Sequence, residues 1–375
     1  MQQSLRPTWA EIDLKAFRYN LKTAADLTGP ATKLLPIVKA NAYGIGAVQA
    51  SRVAVEAPKV EGVAVATPDE AVQLRQAGIK PMVLVLGPST EDATETLVRY
   101  DVSITVTSME GLMHAEAAGE RQKTRARVHL KIDTGMGRIG FMPGEELSAA
   151  LTFLTKCSWI AFEGAFTHFA VADTDCEGTK RQIASFEASR AAIEKSGVRP
   201  IYYHASNSAG TLAYPDAHLD LVRPGIMLYG SYPDESLARF GPISPVLSLY
   251  SRVSHVKRLP AGAAVGYGAT YVTSAPTVIA TLPIGYADGY PRSLSNKGTV
   301  LVRGTRLPVI GRVCMDQLML DAGTLPDIRP GERATLIGRD GDQEITVDDV
   351  AREAETIPHE ILTGLSLREP RSYLH

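Results

Sequence analysis

The chain has no uninterrupted apolar segment near the ~18 residues that a membrane-spanning helix needs. Its opening, MQQSLRPTWAEIDL, meets charged residues before any apolar run, so no secretory leader is expected. Cysteine is scarce. Cys157, Cys176 and Cys314 are scattered, odd in number and outside any CxxC spacing, which argues against a disulfide framework or a zinc site. That usage suits a reducing compartment, the cytoplasm. The eight histidines include no pair at i, i+4 and no HExxH, so no metal is expected. Charge of either sign is not in excess: 39 Lys and Arg against 41 Asp and Glu give −2, with no basic or acidic block. Nothing steers the protein toward nucleic acid or an anionic membrane. Low-complexity segments are also missing. What remains is an ordinary globular composition, 45% apolar and 21% charged. A length of 375 residues exceeds one ordinary core and implies two domains, or a barrel with an appendage.

Short apolar runs alternate with helix-like segments as far as about residue 230. The runs cover residues 9–14, 34–38, 60–66, 82–86, 102–106, 126–132, 159–166, 201–204 and 219–222. Between them lie segments such as TPDEAVQLRQA (67–77), with an N-cap threonine, Pro68 in the first turn and Gly78 as a stop, and a second at 179–196. This predicts an α/β fold, a (β/α)8 TIM-type barrel over residues 1–240, with the run at 9–14 lying outside it. Beyond Tyr232 and Pro233 the texture turns β-rich, with runs at 246–256, 277–283, 299–302, 307–319 and 333–337 separated by turn signals. Residues 241–375 are therefore expected to form a mainly β C-terminal domain, closed by a helix at 346–354.

The stretch KLLPIVKANAYGIG (33–46) organises the rest. A buried-strand signal ends on Lys39, and Asn41, Tyr43, Gly44 and Gly46 follow. A lysine at the mouth of a parallel strand is partly desolvated, which frees its amine for imine chemistry; snorkelling from a strand end is the plain alternative. In a barrel, chemistry gathers at the C-terminal strand ends. Those ends carry Lys39, then Lys131 with Asp133 and Arg138, then His168, then His204 with Asn207 and Ser208, then Arg223 with Gly225 and Ile226. Singly, Ser208 reads as a helix cap, Gly225 as a turn and His168 as a core imidazole. Together they form a lysine, a phosphate cradle (Tyr43, Ser208, Gly225, Ile226) and an arginine for a ring nitrogen, the parts that hold pyridoxal phosphate.

Arg223 in that role has a chemical consequence. A guanidinium donates a hydrogen bond but does not give up its proton, so the ring stays uncharged and is a weak electron sink. A short-lived deprotonated Cα suits racemisation better than decarboxylation or transamination. Racemisation needs groups on both faces of Cα. Lys39 serves one, and Tyr267, between two glycines in GYGATY, is the candidate for the other. One decoy arises: Gly135, Gly137 and Gly140 fit GxGxxG, but Pro143 and Gly144 break the helix that a dinucleotide site requires.

The motifs VKANAYG (38–44), LKIDTGMGRIGF (130–141), GAFTHFAVAD (164–173), HASNSA (204–209), RPGIMLYG (223–230), GYGATY (266–271), LPIGYADGY (282–290) and GRVCMDQ (311–317) occur in one order over nearly the whole chain. In them the sequence resembles the alanine racemases. The resemblance implies interconversion of L- and D-alanine by two-base proton transfer, with pyridoxal 5'-phosphate on Lys39, in a homodimer with shared active sites. It makes Lys39 the base for D-alanine and Tyr267 of the partner chain the base for L-alanine. It places Tyr43, Ser208, Gly225 and Ile226 on the phosphate and Arg223 on the ring nitrogen; His168 is expected at the cofactor, between Arg223 and Tyr267. Arg138, with Met315 of the partner chain, meets the substrate carboxylate. The lysine matching Lys131 is often carbamylated in the family, giving an anion that orients Arg138. D-alanine as product points to cell-wall synthesis or to alanine used as a nutrient. The alternatives are a racemase of serine or of broad specificity, and a non-catalytic cofactor-binding barrel. Two departures stand out. Ile45 replaces the histidine of the family's YGHG. His359 replaces a tyrosine that reaches the phosphate and the substrate channel, and that role is not carried over to its shorter imidazole.

Overall fold

The computed structural model describes residues 6–375; residues 1–5, which open both the stretch read for a leader and the expected 1–240 domain, lie outside the described residues. The described chain forms two compact units. One comprises Arg18–Ala42 and Gly46–Ser244, and the other the described residues through Phe17, Tyr43–Ile45 and Pro245–His375.

In the first unit eight apolar runs become parallel strands. Their order around the sheet is Lys33–Leu34, Leu221–Val222, Tyr202–His204, Ile160–Phe166, Ala126–Lys131, Ser103–Val106, Met82–Val85 and Gly62–Val65. Bridges from Leu34 to Val60 and from Ile37 to Ala64 join the two ends, so the sheet rolls into a nearly closed barrel. Gly62–Val65, Met82–Val85 and Ser103–Val106 bury every residue, and the first two read as unbroken apolar runs for that reason. The intervening helices start where short polar side chains satisfy free backbone donors. Thr67, Thr90, Ser108 and Asp175 accept from the N–H of Glu70, Ala93, Gly111 and Gly178, each bond worth about 1 kcal/mol. Asp175 thereby starts the helix Cys176–Lys195 ahead of the segment expected at 179–196.

One strand pair is irregular. Val128 pairs with Phe162 but His129 pairs with Gly164, so Glu163 is an extra residue. A bulge of this kind re-aims a side chain.

The second unit is built on a ten-stranded, mainly antiparallel sheet. Thr8–Asp13 belongs here and not to the barrel: it pairs antiparallel with Leu247–Arg252 and parallel with Arg371–Leu374. The contiguous 1–240 and 241–375 division read from the sequence thus gives way to an interleaved one. The run at 246–256 breaks into Leu247–Arg252 and His255–Leu259. The run at 307–319 breaks into Thr305–Ile310 and Leu318–Asp321 after Gly311 turns at φ 71°. The closing helix is Val347–Glu353 with Thr346 as its cap, and a further helix, Pro358–Gly364, follows.

Candidate active site

Backbone bonds from Ile37 to Pro224 (3.0 Å) and from Val38 to Ala64 (2.8 Å) carry the first barrel strand forward to Lys39. The chain then coils the wrong way. Ala40, Asn41, Ala42 and Tyr43 have φ of 52°, 54°, 52° and 50°, a left-handed turn that costs L-residues roughly 1–2 kcal/mol each. Neighbours hold it. Glu70 Oε1 accepts from the Ala40 N–H (2.5 Å), Val38 O from Ala42 N–H (2.9 Å), and Asn41 Oδ1 from Ala47 N–H (2.9 Å). Such strain persists where surrounding structure over-determines it, commonly at functional sites. Lys39 itself is half-buried; that burial, then the Arg138 cation, lowers its pKa, while Glu70 pulls the other way.

Arg223 lies wholly inside the barrel. Its Nη2 donates to Thr167 O (2.7 Å) and Ala205 O (2.8 Å) and lies 3.2 Å from His168 Nδ1, while Nη1 donates to His204 Nδ1 (2.8 Å). Nε–H takes no partner among the described residues. Burial lowers the guanidinium to about 9, so it stays protonated at neutral pH. Burial, then Arg223, Arg138, Lys131 and Lys39, push His168 far below its ordinary value, which keeps it neutral. With Nδ1 accepting from Arg223, its proton sits on Nε2.

Lys131 is buried, and its Nζ donates to Ile132 O (2.9 Å) and Ile139 O (3.3 Å), both neutral acceptors. Burial lowers it to about 8 despite Asp133, and Arg223 and Arg138 push the same way. Arg138 is exposed and makes no hydrogen bond or ion pair among the described residues. The GxGxxG loop has another use. Asp133 Oδ1 accepts from the N–H of Gly135 (3.0 Å), Met136 (2.8 Å) and Gly137 (3.1 Å), which occupies the donors that a dinucleotide phosphate would need. No helix starts there; Glu145–Leu154 begins only after Gly144.

Between the last two barrel strands, Ser208 Oγ accepts from the N–H of Gly225 (2.8 Å) and of Met227 (3.4 Å). Its own proton takes no partner among the described residues. Asn207 caps the short helix Ser208–Ala213, and Gly225 turns the chain into the helical turn Ile226–Tyr229. Ser208 and the Gly225–Ile226 turn thus lie together. The barrel unit gathers Lys39, Lys131, Arg138, His168 and Arg223 closely enough for their charges to act on one another.

The other expected residues lie in the second unit. Tyr43 is buried against the His359 ring at 5.7 Å between centroids and 44° between planes, and burial raises its phenol. Ile45 is buried, and its carbonyl accepts from the Tyr373 hydroxyl at 2.9 Å. Tyr267 is 72% exposed, on a turn shaped by Gly266 (φ 71°) and Gly268 (φ 73°). Met315 is 53% exposed.

Sequence reasoning missed Glu70, whose capping-box position gave a signal, and Glu163 with His129. Those two sit inside apolar strands, where the hydrophobic pattern hides them.

A model described as the N-terminal domain of alanine racemase matches residues 12–233, and one for its C-terminal domain matches residues 246–373. An alanine racemase from Carboxydothermus hydrogenoformans is 45% identical over 372 residues, covering 99% of this chain and 100% of that protein. One from Halothermothrix orenii is 43% identical, covering 98% and 97%. Among solved structures, the alanine racemase of Clostridium difficile 630 superposes with a TM-score of 0.94 at 37% identity, over 99% of this chain and 97% of that one. That from E. faecalis gives 0.90 at 40% identity, over 98% of each.

Proposed function

Because the chain belongs to the alanine racemase family, we propose that it interconverts L- and D-alanine with pyridoxal 5'-phosphate as its cofactor. The observation that carries this reading is Arg223, a buried cation at the barrel's C-terminal end with, among the described residues, an uncommitted N–H and no carboxylate beside it. The donor set fits the group. Lys39 offers an amine of lowered pKa, Ser208 a free hydroxyl proton, and the Gly225 turn backbone donors; Tyr43 is the family's further phosphate contact. Bound there, the cofactor would supply an electron sink that makes Cα–H of a linked amino acid acidic.

The chain's own residues then govern what becomes of that proton. Arg223 donates to the ring nitrogen without releasing its proton, which keeps the sink weak and favours return of the proton to Cα. Lys39 takes or returns it on the face that opens D-alanine, its pKa lowered chiefly by burial. Tyr267 of a second copy serves the opposite face. Its exposed ring on a double-glycine turn supports that role, since it is not spent in its own unit's core. Arg138 holds the substrate carboxylate, with Met315 of the second copy, and Lys131 orients Arg138 once carbamylated. A neutral amine among uncharged acceptors is the form that reacts with carbon dioxide. His359, against Tyr43, stands at the position where the family carries a tyrosine, and that tyrosine's role is not assigned to it. A homodimer with shared sites follows from this assignment. No helix among the described residues is long and apolar enough to cross a membrane, and we place the reaction in the cytoplasm.

The test is optical. Purified protein loaded with the cofactor should show the visible absorbance of a lysine-bound form and abolish the rotation of L- and D-alanine alike. Lys39→Ala should lose both signals, while Tyr267→Phe should keep the absorbance and lose racemisation. Rates on serine and lysine against alanine define the substrate range. Stable cofactor absorbance with no loss of rotation would overturn the racemase reading.

A further inference from the structure

Below Arg223 the barrel interior holds an unbroken chain of polar groups. His204 Nε2 lies 2.9 Å from His129 Nδ1, and His129 Nε2 lies 3.1 Å from Glu163 Oε2. Ser103 donates its hydroxyl to the same carboxylate oxygen. His129, His204 and Ser103 are fully buried, Glu163 nearly so. The fold is shaped to admit this chain. The strand bulge makes Glu163 the extra residue, and its neighbour Gly164 leaves the space that the His129 ring fills.

Donor and acceptor roles can be assigned from either end. Glu163 only accepts, so His129 carries its proton on Nε2 and presents a bare Nδ1. That atom accepts from His204 Nε2–H, which leaves His204 Nδ1 bare to accept from Arg223, a donor only. Both ends demand the same direction, and each imidazole satisfies both neighbours while neutral. Burial, then the Arg223 charge, keep His204 from taking a second proton. Burial would raise the Glu163 carboxyl, but the His129 and Ser103 bonds, together with the Arg127 cation 3.9 Å from its other oxygen, outweigh it and hold it ionised. No proton has to move along the chain.

We propose that Glu163 is a positioning residue that acts on Arg223 through His129 and His204. It supplies the counter-charge that the guanidinium lacks at its side, and the two imidazoles transmit its pull to Nη1. Arg223 is then held against His204 with Nε–H pointing away from that bond. In the proposed function this sets how strongly Arg223 donates to the ring nitrogen, and the inference rests on that reading only for this last consequence. Glu163 touches neither substrate nor cofactor.

Nitrogen NMR on protein carrying labelled histidine, with the cofactor removed, tests the relay by itself. Between about pH 5 and 8 His204 should remain neutral, and both rings should carry a proton on Nε2. A proton on Nδ1 of either ring, or a second proton on either, overturns the assignment. In Glu163→Gln the His129 Nε2–H signal should move upfield, and the His204 Nε2–H signal should follow in the same direction. A shift confined to His129 would make Glu163 a merely structural neighbour and sink the positioning role. Ser103→Ala supplies a second variant of opposite sign: with one donor gone from the carboxylate, both protons should move downfield. Pyridoxal phosphate labelled at its ring nitrogen, added last, should show a shift between wild type and Glu163→Gln. Unaltered ring nitrogen overturns the link to Arg223. Failure to bind the cofactor at all would instead strike at the proposed function and leave the histidine result standing.

Discussion

A methyl group placed on Gly164 would lie 2.1 Å from Nδ1 of His129 and 2.4 Å from its Cε1. The two residues face each other across adjacent parallel strands, and the absent side chain of one is the space occupied by the ring of the other. The ring is buried and bonded at both nitrogens, so it has nowhere to retreat. Gly164→Ala should therefore destabilise the protein by about 1–3 kcal/mol or more, the usual cost of overpacking a core. Denaturant unfolding reads this directly. Gly29→Ala is the control: nothing lies within 4 Å of the added carbon and its φ is not left-handed, so its midpoint should stay unchanged.

Lys131 should leave a signature in the pH dependence of stability. Its folded value, about 8, lies below the unfolded 10.5, so the native chain binds fewer protons in that window and stability should rise with pH across it. Lys131→Met should flatten that rise in buffer purged of carbon dioxide. With labelled bicarbonate present, the wild type should add a carbonyl resonance that Lys131→Met lacks. A rise of equal size in the variant would rule out Lys131 as its source.

The left-handed turn after Lys39 reverses an ordinary substitution rule. Ala40 is exposed with φ 52°. Glycine adopts that conformation without the ~1–2 kcal/mol that an L-residue loses there. In a right-handed helix alanine to glycine costs about 0.5–1 kcal/mol. Ala40→Gly should instead leave the melting temperature unchanged or raise it, and a clear drop would show that the turn is not strained in solution.

What the sequence disclosed follows from how strongly each feature marks the hydrophobic pattern. The barrel strands are buried on both faces, so Gly62–Val65 and Met82–Val85 stand out as apolar runs, and Lys39, His168 and Arg223 stand out as the polar residues that end such runs. The C-terminal strands were harder to bound. Nothing in the composition of 307–319 separates Thr305–Ile310 from Leu318–Asp321, because the break depends on Gly311, where a Cβ would sit 2.7 Å from Val265 O, a contact distant in sequence. Arg371–Leu374 is half-exposed and holds an arginine and a serine, so it carries no strand signal and exists through its pairing with Thr8–Asp13. Glu163 and His129 escaped for a related reason. A one-residue shift in register leaves composition untouched, yet decides which side chains face inward.

The placement of Thr8–Asp13 bears on how the protein is made. This strand leaves the ribosome ahead of the barrel, but its antiparallel neighbour, Leu247–Arg252, is translated only after the entire barrel. Meanwhile a strand with a free hydrogen-bonding edge has to wait beside a growing polypeptide. Synthesis speed and chaperone cover during that interval should therefore affect the yield of the β unit.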